Sequence, residues 1–105
     1  MAQLPLINAQ TGTTYTLVLS DAGKMVTLSN AAAIAVTIPL ESSVAFAIGT
    51  SVDMLQLGAG QVTVAGAGGV TVNATPGLKT RAQYSALTAL KIASDSWVVV
   101  GDLSA

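Results

Sequence analysis

Five carboxylates (Asp21, Glu41, Asp53, Asp95 and Asp102) and four cations (Lys24, Lys79, Arg81 and Lys91) are the only charged side chains in this chain of 105 residues. Acid–base work by paired carboxylates needs two of them roughly 5–10 Å apart across a cleft, and nothing in the spacing of these five sets such a pair. Calcium ligation needs several converging oxygens, and no loop of alternating Asp occurs. Asp21 and Asp95 lie in turn sequences, where an Asp side chain bonds its own backbone. The chain has no His and no Cys, which removes the usual proton shuttle near neutral pH and the usual transition-metal ligands. Its serines therefore lack the usual general base. Gly58, Gly60, Gly66, Gly68 and Gly69 have the look of a phosphate loop, but such loops need a helix N-terminus behind them. A strand pattern follows Gly69 instead, so hairpin turns are expected there. Asn73-Ala74-Thr75 fits the glycosylation pattern, but Pro76 follows at once and a turn is the expected use. Lys79 and Arg81, two apart, share one face of a strand and are expected to be solvated. No catalytic, cofactor-binding or metal-binding residue is assigned, and the chain is not expected to be an enzyme.

Composition narrows the partners. Charged residues make up 9% of the chain and the net charge is −1, against about 25% charged in an average domain. So little charge is a weak defence against association, and part of the surface is expected to be buried against other subunits or another protein. With no basic excess there is no footprint for nucleic acid. The start, Met1-Ala2-Gln3-Leu4-Pro5, lacks the basic region and apolar run of a signal peptide. Met54 to Leu78 carries no charge for 25 residues, yet six glycines, Pro76, Gln56, Gln61 and Asn73 interrupt it, so no membrane span is expected. Of the four aromatics, Tyr15, Phe46, Tyr84 and Trp97, most are needed for a core, which leaves little for a sugar-binding platform.

The elements that must carry these residues read as short strands. Four segments spell Val-Thr-aliphatic: Val26-Thr27-Leu28, Val36-Thr37-Ile38, Val62-Thr63-Val64 and Val70-Thr71-Val72. β-Branched side chains suit a pleated surface, and each Thr faces away from its two aliphatic neighbours. Further strands are expected over 13–20, 24–29, 34–38, 52–57, 61–65, 70–73, 78–80, within 82–92, and over 97–101. Val44–Ile48 is expected as a short strand or an extended segment over the core. Three alanines, Ala31 to Ala33, are too few to nucleate a helix. Residues 61–68 and 69–77 are weakly self-similar, but one such pair does not make a solenoid. The expected fold is all-β: a compact antiparallel sandwich or barrel of about eight or nine short strands with little or no helix. Residues 1–12 are expected as an extended N-terminal arm, and 13–105 as a single β domain.

One ordered set of pieces carries a resemblance. Tyr15-Thr16-Leu17-Val18-Leu19-Ser20-Asp21-Ala22-Gly23-Lys24 is followed by Val26-Thr27-Leu28-Ser29-Asn30, Val36-Thr37-Ile38-Pro39 and Phe46-Ala47-Ile48-Gly49-Thr50. Gln56-Leu57-Gly58-Ala59-Gly60-Gln61-Val62-Thr63, Gly69-Val70-Thr71 and Lys91-Ile92-Ala93-Ser94-Asp95-Ser96-Trp97-Val98-Val99-Val100-Gly101-Asp102 complete it. This order resembles a small β module of tailed-bacteriophage virion proteins, found in tail fibres, minor tail proteins and capsid-surface proteins. The resemblance implies a non-enzymatic, trimeric virion component with no cofactor. Many such modules end a long protein, whereas here the module starts almost at Met1, which favours a small protein that docks on the virion. A capsid decoration (cement) protein fits: made in the host cytoplasm, bound as a homotrimer to the major capsid protein or another virion protein, on the head rather than the tail. A tail-fibre or tail-tip domain recognising a bacterial surface glycan or protein is the alternative. The apolar residues of the arm, Leu4, Leu6 and Ile7, are the candidate capsid or subunit contact, because an extended segment can add to a sheet edge.

Overall fold

The computed structural model describes residues 7–105, and these fold into two facing β-sheets. In chain order the strands are β1 (Ile7–Gln10), β2 (Thr14–Thr16), β3 (Met25–Leu28), β4 (Ile34–Ile38), β5 (Ser51–Gln56), β6 (Val62–Gly66), β7 (Thr71–Ala74), β8 (Lys79–Thr80), β9 (Ala86–Ala93), β10 (Ser96–Gly101) and β11 (Leu103–Ser104). The only helical element among them is a 3-10 turn, Leu19–Asp21. The all-β expectation holds. The six-stranded sheet has the order β1-β3-β5-β9-β10-β7, and the five-stranded sheet β11-β8-β6-β4-β2.

The pairing is mixed, not antiparallel as the sequence suggested. From β1 to β8 the chain crosses to the other sheet after every strand. A strand therefore returns to its own sheet two elements later, pointing the same way. β1, β3 and β5 stack in parallel in one sheet, and β2, β4 and β6 in the other. Parallel neighbours need a long crossover, and here the opposite sheet's strand is the crossover. Three successive turns are thus wound on one another in the manner of a solenoid, which the sequence reading had set aside. Only then does the pattern close: β9 pairs antiparallel with β5 and with β10, and β7 joins the far side of β10 in parallel.

The glycine-rich segments are correspondingly corners between sheets rather than hairpin turns. The corner 57–61 lies directly on the corner 29–33. The Gly60 amide donates to the Asn30 carbonyl at 2.8 Å. A Cβ on Gly60 would stand 1.8 Å from the Ala32 carbonyl oxygen, and one on Gly58 2.7 Å from the Asn30 nitrogen. Stacked backbones at this distance leave no room for a side chain. Asn30 ties the stack downward as well, its Nδ2 donating to the Thr11 carbonyl at 2.8 Å. A true hairpin, β9–β10, turns at Ser94-Asp95, with Asp95 at φ +49°.

Three of the four Val-Thr-aliphatic segments lie within strands and bury both aliphatics, whereas Val70 precedes β7 and both Val70 and Val72 are half-buried. Val26, Leu28, Val36, Ile38, Val62 and Val64 are buried between the sheets, with Leu17, Ile34, Val52, Met54, Leu87, Trp97 and Val99. Phe46 and Trp97 meet edge to face, ring centroids 5.4 Å apart, an arrangement that aromatic quadrupoles favour. Residues 44–48 form no strand: Phe46 is buried while Ile48 is exposed, so the segment is a lid over the core. The expected strand 13–20 stops at Thr16, because the 3-10 turn lifts Leu19 into solvent. Part of the expected arm is also structured. Ile7–Gln10 pair along β3 and form one edge of the six-stranded sheet, so that edge strand belongs to the β domain.

Candidate functional surfaces

Every carboxylate of the chain accepts a hydrogen bond within the protein. Asp21 is buried, 1% exposed, and takes three donors: Tyr15 hydroxyl at 2.6 Å, Asn8 Nδ2 at 2.9 Å and the Val18 amide at 3.0 Å. Asn8 lies on β1 and Tyr15 on β2, the edge strands of the two sheets, so this cluster plugs the open end of the winding. Burial, and next the Asp21 carboxylate, push the Tyr15 hydroxyl up to about 12, because a phenolate here would be both desolvated and beside a negative charge.

Lys91 is the least expected residue of the core. Strand alternation turns it inward with Leu87 and Ala89, and it is 1% exposed. Its ammonium reaches the lid, donating to the Phe46 carbonyl and to Glu41 Oε1, both at 2.6 Å. Glu41 is half exposed and is held below the usual carboxylate range by the Lys91 hydrogen bond first and by its charge second. Asp95 completes the clamp by accepting from the Glu41 amide at 2.7 Å. Near the other end of the fold, Asp102 receives a two-pronged contact from Arg81 at 2.8 and 2.9 Å and the Ser85 hydroxyl at 2.6 Å. Hydrogen bonding to Arg81 lowers its pKa. Gln56 and Thr80, both buried, join the two sheets side chain to side chain.

Of the sequence candidates, Lys79 and Arg81 are both exposed, as expected, but they do not share a strand, because β8 ends at Thr80; Arg81 pairs with Asp102 while 63% exposed. Asn73-Ala74-Thr75 runs from β7 into the turn before Pro76. Leu4 and Leu6 lie outside the described residues. Ile7 is the first residue of β1 and is 56% exposed. Among the described residues no three His, Cys, Asp or Glu side chains converge. A groove of about 490 Å³ runs beside β7 and the end of β10, lined by Asn73, Thr75, Val98 and Val100 among others and by no charged side chain.

The outer faces of the two sheets differ. On the five-stranded sheet, the register aligns Thr14, Ala35, Thr63, Lys79 and Ser104 in one row and Thr16, Thr37 and Ala65 in the next. No large aliphatic side chain belongs to either row. The six-stranded sheet shows three rows: Ile7-Met25-Asp53-Thr88-Val100, Ala9-Thr27-Leu55-Ala86 and Ser51-Leu90-Val98-Asn73. Six of these residues are large and aliphatic, and the single charge, Asp53, accepts from the Thr88 hydroxyl at 2.6 Å. Ile92 extends the apolar area along β9, 49% exposed. Sequence alternation gave the parity that Leu90 and Ile92 share. It could not say that this parity faces outward, because only the burial of Lys91 on the opposite parity decides that. No family model, curated protein or solved structure matches the chain.

Proposed function

We propose that this protein is a structural component of a bacteriophage virion: a decoration protein that binds the outside of the head as a homotrimer and stabilises the shell. The observation that carries this reading is how the charged groups are used. All five carboxylates, with Lys91 and Arg81, are engaged in bonds that hold the fold. Apart from these paired groups, Lys24 and Lys79, the surface is made largely of neutral polar, Ala and aliphatic side chains, chemistry suited to permanent contact rather than to turnover. The ordered pieces that resemble virion modules support the same conclusion. They supply the strands, the stacked corners and the Phe46 lid.

The test is to add the purified protein to heads that lack it and to locate it by gold labelling. Label over the head, with a higher rupture temperature of the decorated shell, is the expected result. Label at the tail, with binding of the isolated protein to host cells, would replace this reading with a receptor-binding tail module. Removal of residues 2–6, which carry Leu4 and Leu6, is expected to lower head occupancy and leave the Trp97 fluorescence of the folded protein unchanged. A cut reaching Asn8 is a poor variant, because Asn8 bonds both Asp21 and Tyr15.

A further inference from the structure

We infer that the outer face of the six-stranded sheet is where one copy of this chain packs on another. The inference goes beyond the trimer reading above, because a face packed on its own copy is a two-fold contact that joins copies in pairs. Three observations select a second copy as the occupant. The first is charge. Two copies bring identical charge to a shared contact, and like charges set face to face are costly. The three rows of this face carry one charge among thirteen side chains, and that carboxylate is already bonded to Thr88.

The second is extent. The molecule is a slab of 39 × 33 × 20 Å, and this sheet is one of its broad sides. Six strands at ~4.8 Å spacing, with three rows ~7 Å apart, present on the order of 600 Å². Two such faces together bury about 1,200 Å², above the roughly 1,000 Å² that a specific interface needs. The opposite broad side has the same architecture without the aliphatic rows, so the asymmetry belongs to the side chains and not to the fold.

The third is relief. Gly101 ends β10 at φ +142°, where a Cβ would lie 2.5 Å from the Ala86 carbonyl oxygen. Beside this close approach a hollow of about 200 Å³ opens on the outer face, bordered by Met25, Asp53, Ala86, Thr88 and Val100. Val100 and Leu90 stand proud of the same face, 55% and 37% exposed. A surface with both a hollow and projecting aliphatics can interdigitate with its like, as interface cores do. Ile7, one of the candidate contact residues, stands at the end of the middle row, 56% exposed.

The test is the mass in solution, by light scattering at micromolar concentration, of the wild type and of Val100→Lys, Ile92→Lys and Thr16→Lys. Far-UV circular dichroism and Trp97 fluorescence verify folding. The expected result is an even multiple of 10.4 kDa for the wild type and for Thr16→Lys, which charges the other broad side, and half the wild-type mass for the two variants on this face. A second measurement uses the absence of native Cys. Maleimide labelling of Val100→Cys is expected to be at least tenfold slower than that of Thr16→Cys in the assembled protein. A wild type that weighs 10.4 kDa, or face variants that keep the assembled mass with equal labelling rates, overturns the inference. Head occupancy separates the readings. Face variants that stay assembled and still decorate heads remove this interface and leave the decoration reading standing. Assembled wild type that ignores heads does the reverse.

Discussion

At the scale of single residues, the polar groups of the interior are fasteners whose strength can be read separately. Lys91→Met keeps the stem but leaves the Phe46 carbonyl without its donor, which should cost about 1–3 kcal/mol. Glu41→Gln should cost less, because its amide oxygen can still accept from the Lys91 ammonium and the Phe46 carbonyl keeps its donor. Urea denaturation followed by Trp97 fluorescence measures both, and equal losses would contradict this division. Tyr15 sets an alkaline limit. Its folded pKa of about 12 lies above the ordinary tyrosine value of 10.0, so the folded state holds the proton more tightly. The stability it contributes is fully present below pH 10 and is lost as the pH rises through 12. Tyr15→Phe is expected to flatten that limb of a stability–pH curve. Neither fastener was legible as such in the sequence. Asp21 reads as a turn residue, and its burial follows from the meeting of two edge strands, a long-range fact. Lys91 did carry a signal: it shares parity with Leu87 and Ala89, and a lone cation on an apolar parity implies a partner.

At the scale of elements, the determinant of the fold is the stacking of corners. Gly60→Ala would drive a Cβ into the Ala32 carbonyl and should cost about 2 kcal/mol or more, as overpacking does. Gly68→Ala has no atom within 4 Å to meet and should lie within about 0.5 kcal/mol of wild type, as surface changes usually do. Paired melting curves of the two variants check the contrast. Strand existence was readable because β-branched alternation is local. Strand direction was not, because a Gly-rich link serves a hairpin and a sheet-to-sheet corner equally well. One periodic clue was present. Val26 pairs with Met54, and Val36 with Val64, so the same 28-residue offset holds in both sheets. It is masked in the sequence by polar replacements such as Asp53 for Met25, on the outer face where packing does not constrain the residue.

At the scale of the whole molecule, closure makes a single cooperative unit of what begins as a winding. β7 reaches the six-stranded sheet only through β10, and β10 only through β9. A chain ending at Thr80 is therefore expected not to fold, with a random-coil circular dichroism spectrum. For the full chain, unfolding followed by circular dichroism and by Trp97 fluorescence should coincide, and separated midpoints would contradict that view. The winding also has two unlike walls. On one, the connections 11–13, 29–33 and 57–61 are three to five residues long and lie on each other; on the other, 17–24, 39–50 and 67–70 range from four to twelve. The consequence is evolutionary. The tight wall admits few changes because each corner is the floor of the next, while the loose wall can lengthen and diversify without unwinding the stack. Divergent lineages of this fold should therefore accumulate insertions on one flank only, and a foreign peptide grafted after Gly68 should be displayed where one grafted after Ala59 is rejected.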